Sequence, residues 1–183
     1  MPTALVPLAQ GCEELEAVTI IDLLRRANIE VVTAGLTPEP VTASRGVVLV
    51  PDTTLDKAAR MEDFDMVVLP GGLPGADNLA DSSLVAKVLQ RMNKDGKYIA
   101  AICAAPRVLA KAGLLKGKRV TAYPGFIDGN DFPDLTCTGG RVECDGKIVT
   151  SRGPGTAMDF ALTLIGLLTD EKTRKTVEHG LVR

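Results

Sequence analysis

The sequence lacks an excess of positive charge, since its 183 residues include 21 Lys and Arg against 23 Asp and Glu, a net charge of −2. We therefore expect no stable complex with nucleic acid. It also lacks a long apolar run: the longest uncharged run, Met1–Cys12, is well short of the roughly 20 apolar residues that a membrane span needs. That run has no basic start, as a secretory signal would. We expect a cytoplasmic protein that does not enter the membrane.

Cysteine pairs at metal-binding or redox spacing are missing as well. The four cysteines, Cys12, Cys103, Cys137 and Cys144, include no C-x-x-C pair, which argues against a zinc ribbon and a thioredoxin motif. No metal site is predicted, and in a reducing compartment we expect free thiols. A small buried hydrophobic side chain is the ordinary role of such a residue, and we assign it to Cys12 and Cys137. Cys144 lies beside a predicted turn and should be exposed.

The residues that are present are typical of a folded protein, with 45% hydrophobic and 24% charged residues. Short apolar segments alternate with amphipathic helical patterns along the chain. The predicted strands are Thr3–Ala9, Ile29–Ala34, Asp65–Leu69 and Tyr98–Ile102. The predicted helices are Glu13–Ala27, Ser82–Met92, Ala104–Ala112 and Thr156–Thr169.

A hairpin is predicted at Asp145-Gly146, between Arg141–Glu143 and Lys147–Thr150. The other apolar strands need helical crossovers, which favours parallel strands covered on both faces. We therefore predict a single domain over residues 1–183 with a doubly wound α/β fold, in which Ala122–Gly140 is the least regular part. Ligands of such folds bind beyond the carboxyl ends of the strands.

Cys103 has the strongest local signal for chemistry. It lies between an apolar strand and a helix, with Ala101 and Ala105 two residues to either side, an arrangement similar to the G-x-S-x-G nucleophile elbow. The helix N-terminus favours the thiolate, so we expect the pKa of Cys103 to fall into the range of roughly 3.5 to 7.5.

A carboxyl group near this elbow is expected from the start of the first helix. Helical phase places Glu16 on the flank of the apolar stripe and Glu14 toward solvent, while Glu13 also falls near the stripe. Phase alone does not choose between Glu13 and Glu16. A desolvated carboxyl there would be kept protonated and would donate a hydrogen bond or move a proton.

Two further patterns have competing explanations. Pro70-Gly71-Gly72 follows a strand and either supplies backbone N–H groups to an oxyanion or forms a plain turn. Arg152–Thr156 lacks the lysine of a phosphate-binding loop, and no dinucleotide motif is present, so no cofactor is expected. His179 is the sole histidine and lies near the end of the chain, where a structural or exposed role is favoured over a Cys-His dyad.

An ordered set of motifs resembles one family almost from end to end: GCEELE at 11–16, SRG at 44–46, VLPGG at 68–72, AAICAAP at 100–106 and TSRGPGT at 150–156. The chain resembles the DJ-one (Parkinsonism-associated deglycase) branch of the ThiJ/PfpI superfamily. The resemblance implies a flavodoxin-like fold and a homodimer with the site near the subunit interface. It also implies that Arg26 lies near the dimer contact.

The resemblance implies a role for each site residue. Cys103 would be the nucleophilic and oxidisable cysteine, and Glu16, rather than Glu13, the protonated carboxyl that touches it. The backbone N–H groups of Gly72 and Ala104 would bind an oxyanion. The substrate-binding residues would be Arg45, Tyr123 and Pro154.

One position departs from the family pattern. Many relatives carry a pocket histidine just before a proline, and here Tyr123 precedes Pro124. A phenol is a poor base at neutral pH, although it donates hydrogen bonds. Proton transfer would then depend on Glu16.

Three functions compete. The first is a cysteine-dependent glyoxalase or deglycase without cofactor, acting on methylglyoxal, glyoxal and early glycation adducts of proteins or nucleotides. The second is a redox sensor or chaperone that works through oxidation of Cys103 with little turnover. The third, a protease or amidase, needs a histidine beside the elbow cysteine, where Ala104 stands instead.

Overall fold

The computed structural model describes residues 1–61, 63–127 and 131–183, so 128–130 of the predicted irregular stretch lie outside the described residues. Its strands are β1 (Thr3–Leu8), β2 (Glu30–Gly35), β3 (Val41–Thr42), β4 (Val48–Leu49), β5 (Thr53–Thr54), β6 (Met66–Leu69), β7 (Tyr98–Ile102), β8 (Arg119–Val120), β9 (Thr136–Cys137), β10 (Val142–Asp145) and β11 (Ile148–Ser151). Its α-helices are α1 (Glu14–Arg26), α2 (Leu55–Ala58), α3 (Gly75–Asp81), α4 (Ser83–Lys94), α5 (Pro106–Lys111), α6 (Ala157–Leu168) and α7 (Glu171–Gly180).

Seven strands form one sheet in the order β10-β11-β7-β6-β1-β2-β5. All neighbours in it are parallel except β10 and β11, which form an antiparallel hairpin. The predicted α/β fold with a mostly parallel sheet is confirmed. Two small pairs, β3 with β4 and β8 with β9, lie outside this sheet.

Helices cover both faces of the sheet because the side chains of a strand alternate between its two sides. Val6 of β1 packs into a cluster with Ile20 of α1 and Phe160 of α6. Leu5, the preceding residue, packs into a second cluster on the opposite face, which includes Leu89 of α4. Apolar residues therefore fill both sides of every central strand, as the continuous apolar runs predict.

All four predicted helices begin one or two residues later than predicted, α4 at Ser83 rather than Ser82 and α6 at Ala157 rather than Thr156. Helix α5 begins at Pro106 rather than at Ala104, since proline, which has no N–H to satisfy, suits the first position of a helix. Helix α1 begins at Glu14, and Glu13 caps it by accepting a hydrogen bond from Leu15 N–H at 3.4 Å. The short elements β3 to β5, α2, α3, β8 and β9 were not predicted, because two to seven residues carry too little periodicity.

Candidate active site

Three loops meet at the carboxyl edge of the parallel strands. Backbone hydrogen bonds tie the loop after β1 to the loop after β6: Glu13 N–H donates to Gly71 O at 2.9 Å, and Gly75 N–H donates to Gly11 O at 3.2 Å. The third loop begins at Cys103, directly after β7. The three loops in which the site is predicted therefore lie together at this edge of the sheet.

Cys103 lies in a sharp turn. Its φ is +65°, a left-handed conformation that costs a non-glycine residue roughly 1–2 kcal/mol. Its N–H donates to Ser151 O at 3.0 Å and its carbonyl accepts from Tyr123 N–H at 2.8 Å, so strands and loops on both sides fix the turn. The residue is 8% exposed, which leaves a narrow approach to the sulfur. This geometry is that of a nucleophile elbow.

Glu16 reaches the same point from α1. Its side chain is fully buried, and Oε2 accepts a hydrogen bond from Gly71 N–H at 2.8 Å. A β-carbon on Gly71 would lie 2.6 Å from Cys103 Cβ and 2.9 Å from Glu16 Oε2, so the two side chains face each other across a glycine. Glu16 Oε1 has no hydrogen-bond partner among the described residues. The structure places Glu16, not Glu13, beside the cysteine.

Burial controls the ionisation of this pair. Burial raises the pKa of Glu16 to about 7, although the hydrogen bonds from Gly71 and Cys103 act to lower it. Burial and then the Glu16 carboxylate raise the pKa of Cys103 to about 12, opposite to the predicted lowering. The helix argument fails because α5 begins three residues after the cysteine and has six residues. Near neutral pH the pair therefore carries at most one negative charge.

Two backbone N–H groups converge on the sulfur. Hydrogen bonds from Gly72 and Ala104 both act to lower the pKa of Cys103. Gly72 has a φ of +89°, which glycine adopts without strain. These are the two predicted oxyanion donors, and both lie at the elbow.

The three predicted substrate-binding residues lie in different loops. The Tyr123 ring packs against Gly153, where an added β-carbon would lie 3.2 Å from Cδ2. Pro154 follows and is half-buried. Arg45 is exposed, and its Nη1 donates to Ser44 O at 3.4 Å. Tyr123 and Pro154 are thus connected to the Cys103 turn, whereas no contact of Arg45 with Cys103 is recorded in the described part of the chain.

Comparison with known proteins agrees with this geometry. Residues 2–167 match the model of the DJ-1/PfpI family. The chain belongs to the DJ-1/PfpI family. Protein dj-1beta of Drosophila melanogaster is 44% identical over 98% of this chain and 96% of its own length. The glutathione-independent glyoxalase DJR-1.2 of Caenorhabditis elegans is 34% identical over 92% of this chain and 90% of its own length.

Solved structures of DJ-1 proteins share the fold. The crystal structure of Drosophila melanogaster DJ-1beta covers 99% of this chain and 97% of its own, with a TM-score of 0.91 and 44% identity. The structure of oxidised Toxoplasma gondii DJ-1 covers 100% of this chain and 98% of its own, with a TM-score of 0.92 and 40% identity. The predicted family is therefore confirmed.

Glu14 of this DJ-1/PfpI protein corrects one prediction. It was expected to point toward solvent, yet it is 8% exposed. Its Oε1 accepts from Arg45 N–H at 2.8 Å, and its Oε2 accepts from Ser44 Oγ–H at 3.1 Å. Helical phase missed this role because the β3–β4 hairpin covers the outer side of the first turn. Ser44 in the SRG motif was the only local signal for such a contact.

The remaining cysteines and the histidine have no part assigned in this chemistry, although Cys12 lies in the loop after β1 that packs against Gly72. Cys12 is buried as predicted, and burial raises its pKa to about 11. Cys144 is exposed as predicted, but Cys137 is exposed too, because β9 lies outside the main sheet. His179 is exposed on α7. Within residues 1–61, 63–127 and 131–183, no metal-binding cluster and no helix suited to span a membrane is found.

Proposed function

We propose that this protein is a glutathione-independent glyoxalase that converts methylglyoxal and glyoxal to hydroxyacids without a cofactor. The observation that carries the proposal is the buried Glu16 carboxyl facing the Cys103 sulfur, with the N–H groups of Gly72 and Ala104 converging on that sulfur. Such a site offers a nucleophile, one proton carrier and two oxyanion donors. The name of the 34% identical nematode relative supports the same reaction class.

The first step forms the carbon–sulfur bond. The Glu16 carboxylate takes the thiol proton as Cys103 Sγ adds to the aldehyde carbon. The carbonyl electrons move to oxygen, and Gly72 and Ala104 donate hydrogen bonds to the oxyanion. Glu16 then returns the proton to that oxygen, which gives a hemithioacetal. Removing the Glu16 charge also removes the repulsion that raises the pKa of the thiol, so nucleophile and base act together.

The second step moves a proton between carbons. Glu16 removes the proton from the former aldehyde carbon, which forms an enediolate, and delivers it to the neighbouring carbon, while the hydroxyl proton of the former aldehyde carbon moves to the oxygen of that neighbouring carbon. The product is an S-lactoyl thioester on Cys103. Water then cleaves the thioester to release lactate and restore the thiol. The net reaction is methylglyoxal plus water giving lactate and a proton, with no external oxidant or reductant.

The test is lactate formation from methylglyoxal, followed by proton NMR in glutathione-free, metal-free buffer. Wild type should produce lactate, while Cys103→Ser and Glu16→Gln should each lose at least a hundredfold in kcat/KM, because a positioned base typically contributes about 10²–10⁴. Cys137→Ser is the matched control, since Cys137 is exposed and belongs to β9. Full lactate production by either site variant would overturn the mechanism.

Deglycation is the finer proposal on the same site. Early adducts such as hemithioacetals and aminocarbinols release a 2-oxoaldehyde reversibly, so the same Cys103 chemistry would clear them. The two routes are separated by adding a chemical scavenger of free methylglyoxal to a preformed adduct. Direct action on the adduct predicts Cys103-dependent lactate despite the scavenger, whereas loss of lactate assigns the activity to the free aldehyde alone.

A second function, peroxide sensing through Cys103, has one specific observation in its favour: a 40% identical solved relative is DJ-1 in oxidised form. Peroxide would convert the Cys103 thiolate, formed when the Glu16 carboxylate takes the thiol proton, to sulfenic acid and, with a second equivalent, to sulfinic acid. Protonated Glu16 would donate to the sulfinate. Intact-mass and peptide analysis after graded peroxide should find two oxygens on Cys103 first. Earlier oxidation of Cys12, Cys137 or Cys144 would contradict this role.

We further propose a homodimer through the outer face of α1 and the β3–β4 hairpin. Large apolar side chains are exposed there: Leu15, Val18, Val47, Val48 and Val50. Val18 and Val50 line one surface depression, which connects the helix to the hairpin. A second copy is the occupant that this face favours, because it adjoins the helix that carries Glu16. Arg26, predicted near the contact, is exposed on α1 and pairs with Asp22 at 2.7 Å.

A further inference from the structure

Two aromatic side chains meet beside the candidate active site in a chain that has only four Phe and two Tyr. The rings of Tyr123 and Phe126 pack edge to face, with centroids 5.9 Å apart and planes at 77°. Phe64 and Phe160, by contrast, are buried in the core. Tyr123 remains 46% exposed although it is packed on two sides. A fixed aromatic face is therefore open to solvent at this place.

The position of this face relative to the nucleophile is defined by hydrogen bonds. Tyr123 N–H donates to Cys103 O at 2.8 Å, and Cys103 N–H donates to Ser151 O at 3.0 Å. The segments that begin at Ser151 and at Ala122 therefore leave the Cys103 turn from its two sides. The Tyr123 ring lies against Gly153 and so connects the two segments. The ring therefore lies between the two segments that flank the elbow, and we call it and the Phe126 ring the wall.

The wall is apolar. The segment 120–127 contains no charged residue, and neither do Gly153, Pro154 and Gly155 on the facing segment. Pro154 contributes a half-buried ring beside Tyr123. A planar apolar substituent would bury its face against the ring, whereas a charged or strongly hydrated substituent would lose part of its hydration there.

We infer that the Tyr123–Phe126 pair is a specificity-determining wall that receives the substituent of the substrate carbonyl, which makes 2-oxoaldehydes with a planar apolar substituent, such as phenylglyoxal, preferred over glyoxal. The inference rests on the proposed glyoxalase function and names the substrate class of the same site. An aromatic contact of this kind contributes roughly 0.5–1.5 kcal/mol beyond burial, equivalent to about 2- to 13-fold in kcat/KM.

The first test compares kcat/KM for phenylglyoxal and glyoxal in wild type, Tyr123→Ala and Tyr123→Phe. The phenylglyoxal-to-glyoxal ratio should fall roughly 2- to 13-fold in Tyr123→Ala and stay at the wild-type value in Tyr123→Phe, which keeps the ring. Tyr98→Ala is the matched control, because the other tyrosine begins β7 at the opposite edge of the sheet and should leave the ratio unchanged. An unchanged ratio in Tyr123→Ala, or an equal fall in Tyr123→Phe, overturns the inference.

The second test needs no turnover, so it separates this inference from the proposed function. Cys103 is alkylated with phenacyl bromide or with iodoacetamide, where the sulfur displaces the halide, and adducts are located by peptide mass analysis. The exposed Cys137 in the same molecules corrects for the intrinsic reactivity of each reagent. Tyr123→Ala should lose preference for the phenacyl group at Cys103. If Tyr123→Ala loses this preference but wild type makes no lactate, the specificity inference stands and the glyoxalase function is rejected. If wild type and Tyr123→Ala show the same preference, the specificity inference is rejected.

Discussion

Glu16 Oε2 accepts a hydrogen bond of 2.8 Å from the N–H of Gly71. This one bond joins α1 to the loop after β6 and holds the carboxyl at the elbow, while its Oε1 has no partner among the described residues. A carboxyl with one oxygen fixed and one free is suited to carry a proton between the sulfur and a bound carbonyl. The catalytic geometry therefore depends on a backbone group as much as on the two side chains.

The pH dependence of the reaction follows from the ionisation of Glu16. Burial raises its pKa to about 7, and the proposed mechanism needs the carboxylate as base. We expect kcat/KM for methylglyoxal to rise about tenfold per pH unit below this pKa and to level off above it. Initial rates between pH 5 and 9 measure this rise and the plateau above it. A profile that is flat from pH 5 to 9 would show that Glu16 is not the base.

The stability of the folded protein should fall as Glu16 ionises, whereas kcat/KM should rise. The pKa of Glu16 is higher in the folded protein, about 7, than its ordinary value of 4.5, so the folded state binds the extra proton. The extra proton stabilises the folded state fully below pH 4.5, and this stabilisation, about 3 kcal/mol, is lost as pH rises through 7.

Glu16→Gln removes this titration. The difference in unfolding free energy between the variant and wild type should therefore shift in favour of the variant as pH rises from 4.5 to 8. Urea unfolding at several pH values measures the difference, in which other groups cancel. A difference that does not vary with pH would contradict a buried titrating Glu16.

Gly71→Ala should damage the site directly. The added methyl group would lie 2.6 Å from Cys103 Cβ and 2.9 Å from both Glu16 Oε2 and Ile102 O, so the turn must shift. We expect a loss of roughly 1–3 kcal/mol in unfolding free energy together with loss of lactate formation. Gly180→Ala is the matched control, because Gly180 ends α7 and no atom lies within 4 Å of its added methyl group. Wild-type activity in Gly71→Ala would contradict the close packing.

Glu14→Gln should loosen the β3–β4 hairpin. Although burial acts to raise the pKa of Glu14, hydrogen bonds from its own N–H, Val47 N–H, Ser44 and Arg45 N–H keep it below the ordinary value. The stabilisation is therefore present above pH 4.5 and lost as pH falls below it. At pH 7 we expect faster proteolysis at 43–50 in the variant than in wild type, and at pH 3 a smaller difference between the two. Equal proteolysis at pH 7 would show that the carboxylate does not secure the hairpin.

The proposed dimer gives a further prediction. Val48 and Val50 are 59% and 79% exposed on the hairpin side of the apolar face. A charge on this face cannot be desolvated without a partner, so Val48→Glu should shift the protein to monomer. Light scattering coupled to size exclusion gives the mass. Val182→Glu, 93% exposed near the chain end, is the matched control. A wild-type protein that is monomeric at all concentrations would reject the dimer.

The sequence alone determined the alternation of strands and helices, the position of Cys103 after β7 and the choice of three loops for the site. These are local properties, because the period of apolar residues and the small residues around a turn act over a few neighbours. The family motifs added the choice of Glu16 over Glu13, which helical phase had left open.

Only the tertiary structure decided the charges and the surroundings of these residues. The pKa of Cys103 is raised rather than lowered, because the fold buries the thiol and because the Glu16 carboxyl beside it comes from a helix 87 positions earlier in the chain. Glu14 is buried because the β3–β4 hairpin covers it. Cys137 is exposed because its strand, β9, lies outside the main sheet. Burial and electrostatic coupling depend on which distant segments meet in space, and no periodicity within one segment records that.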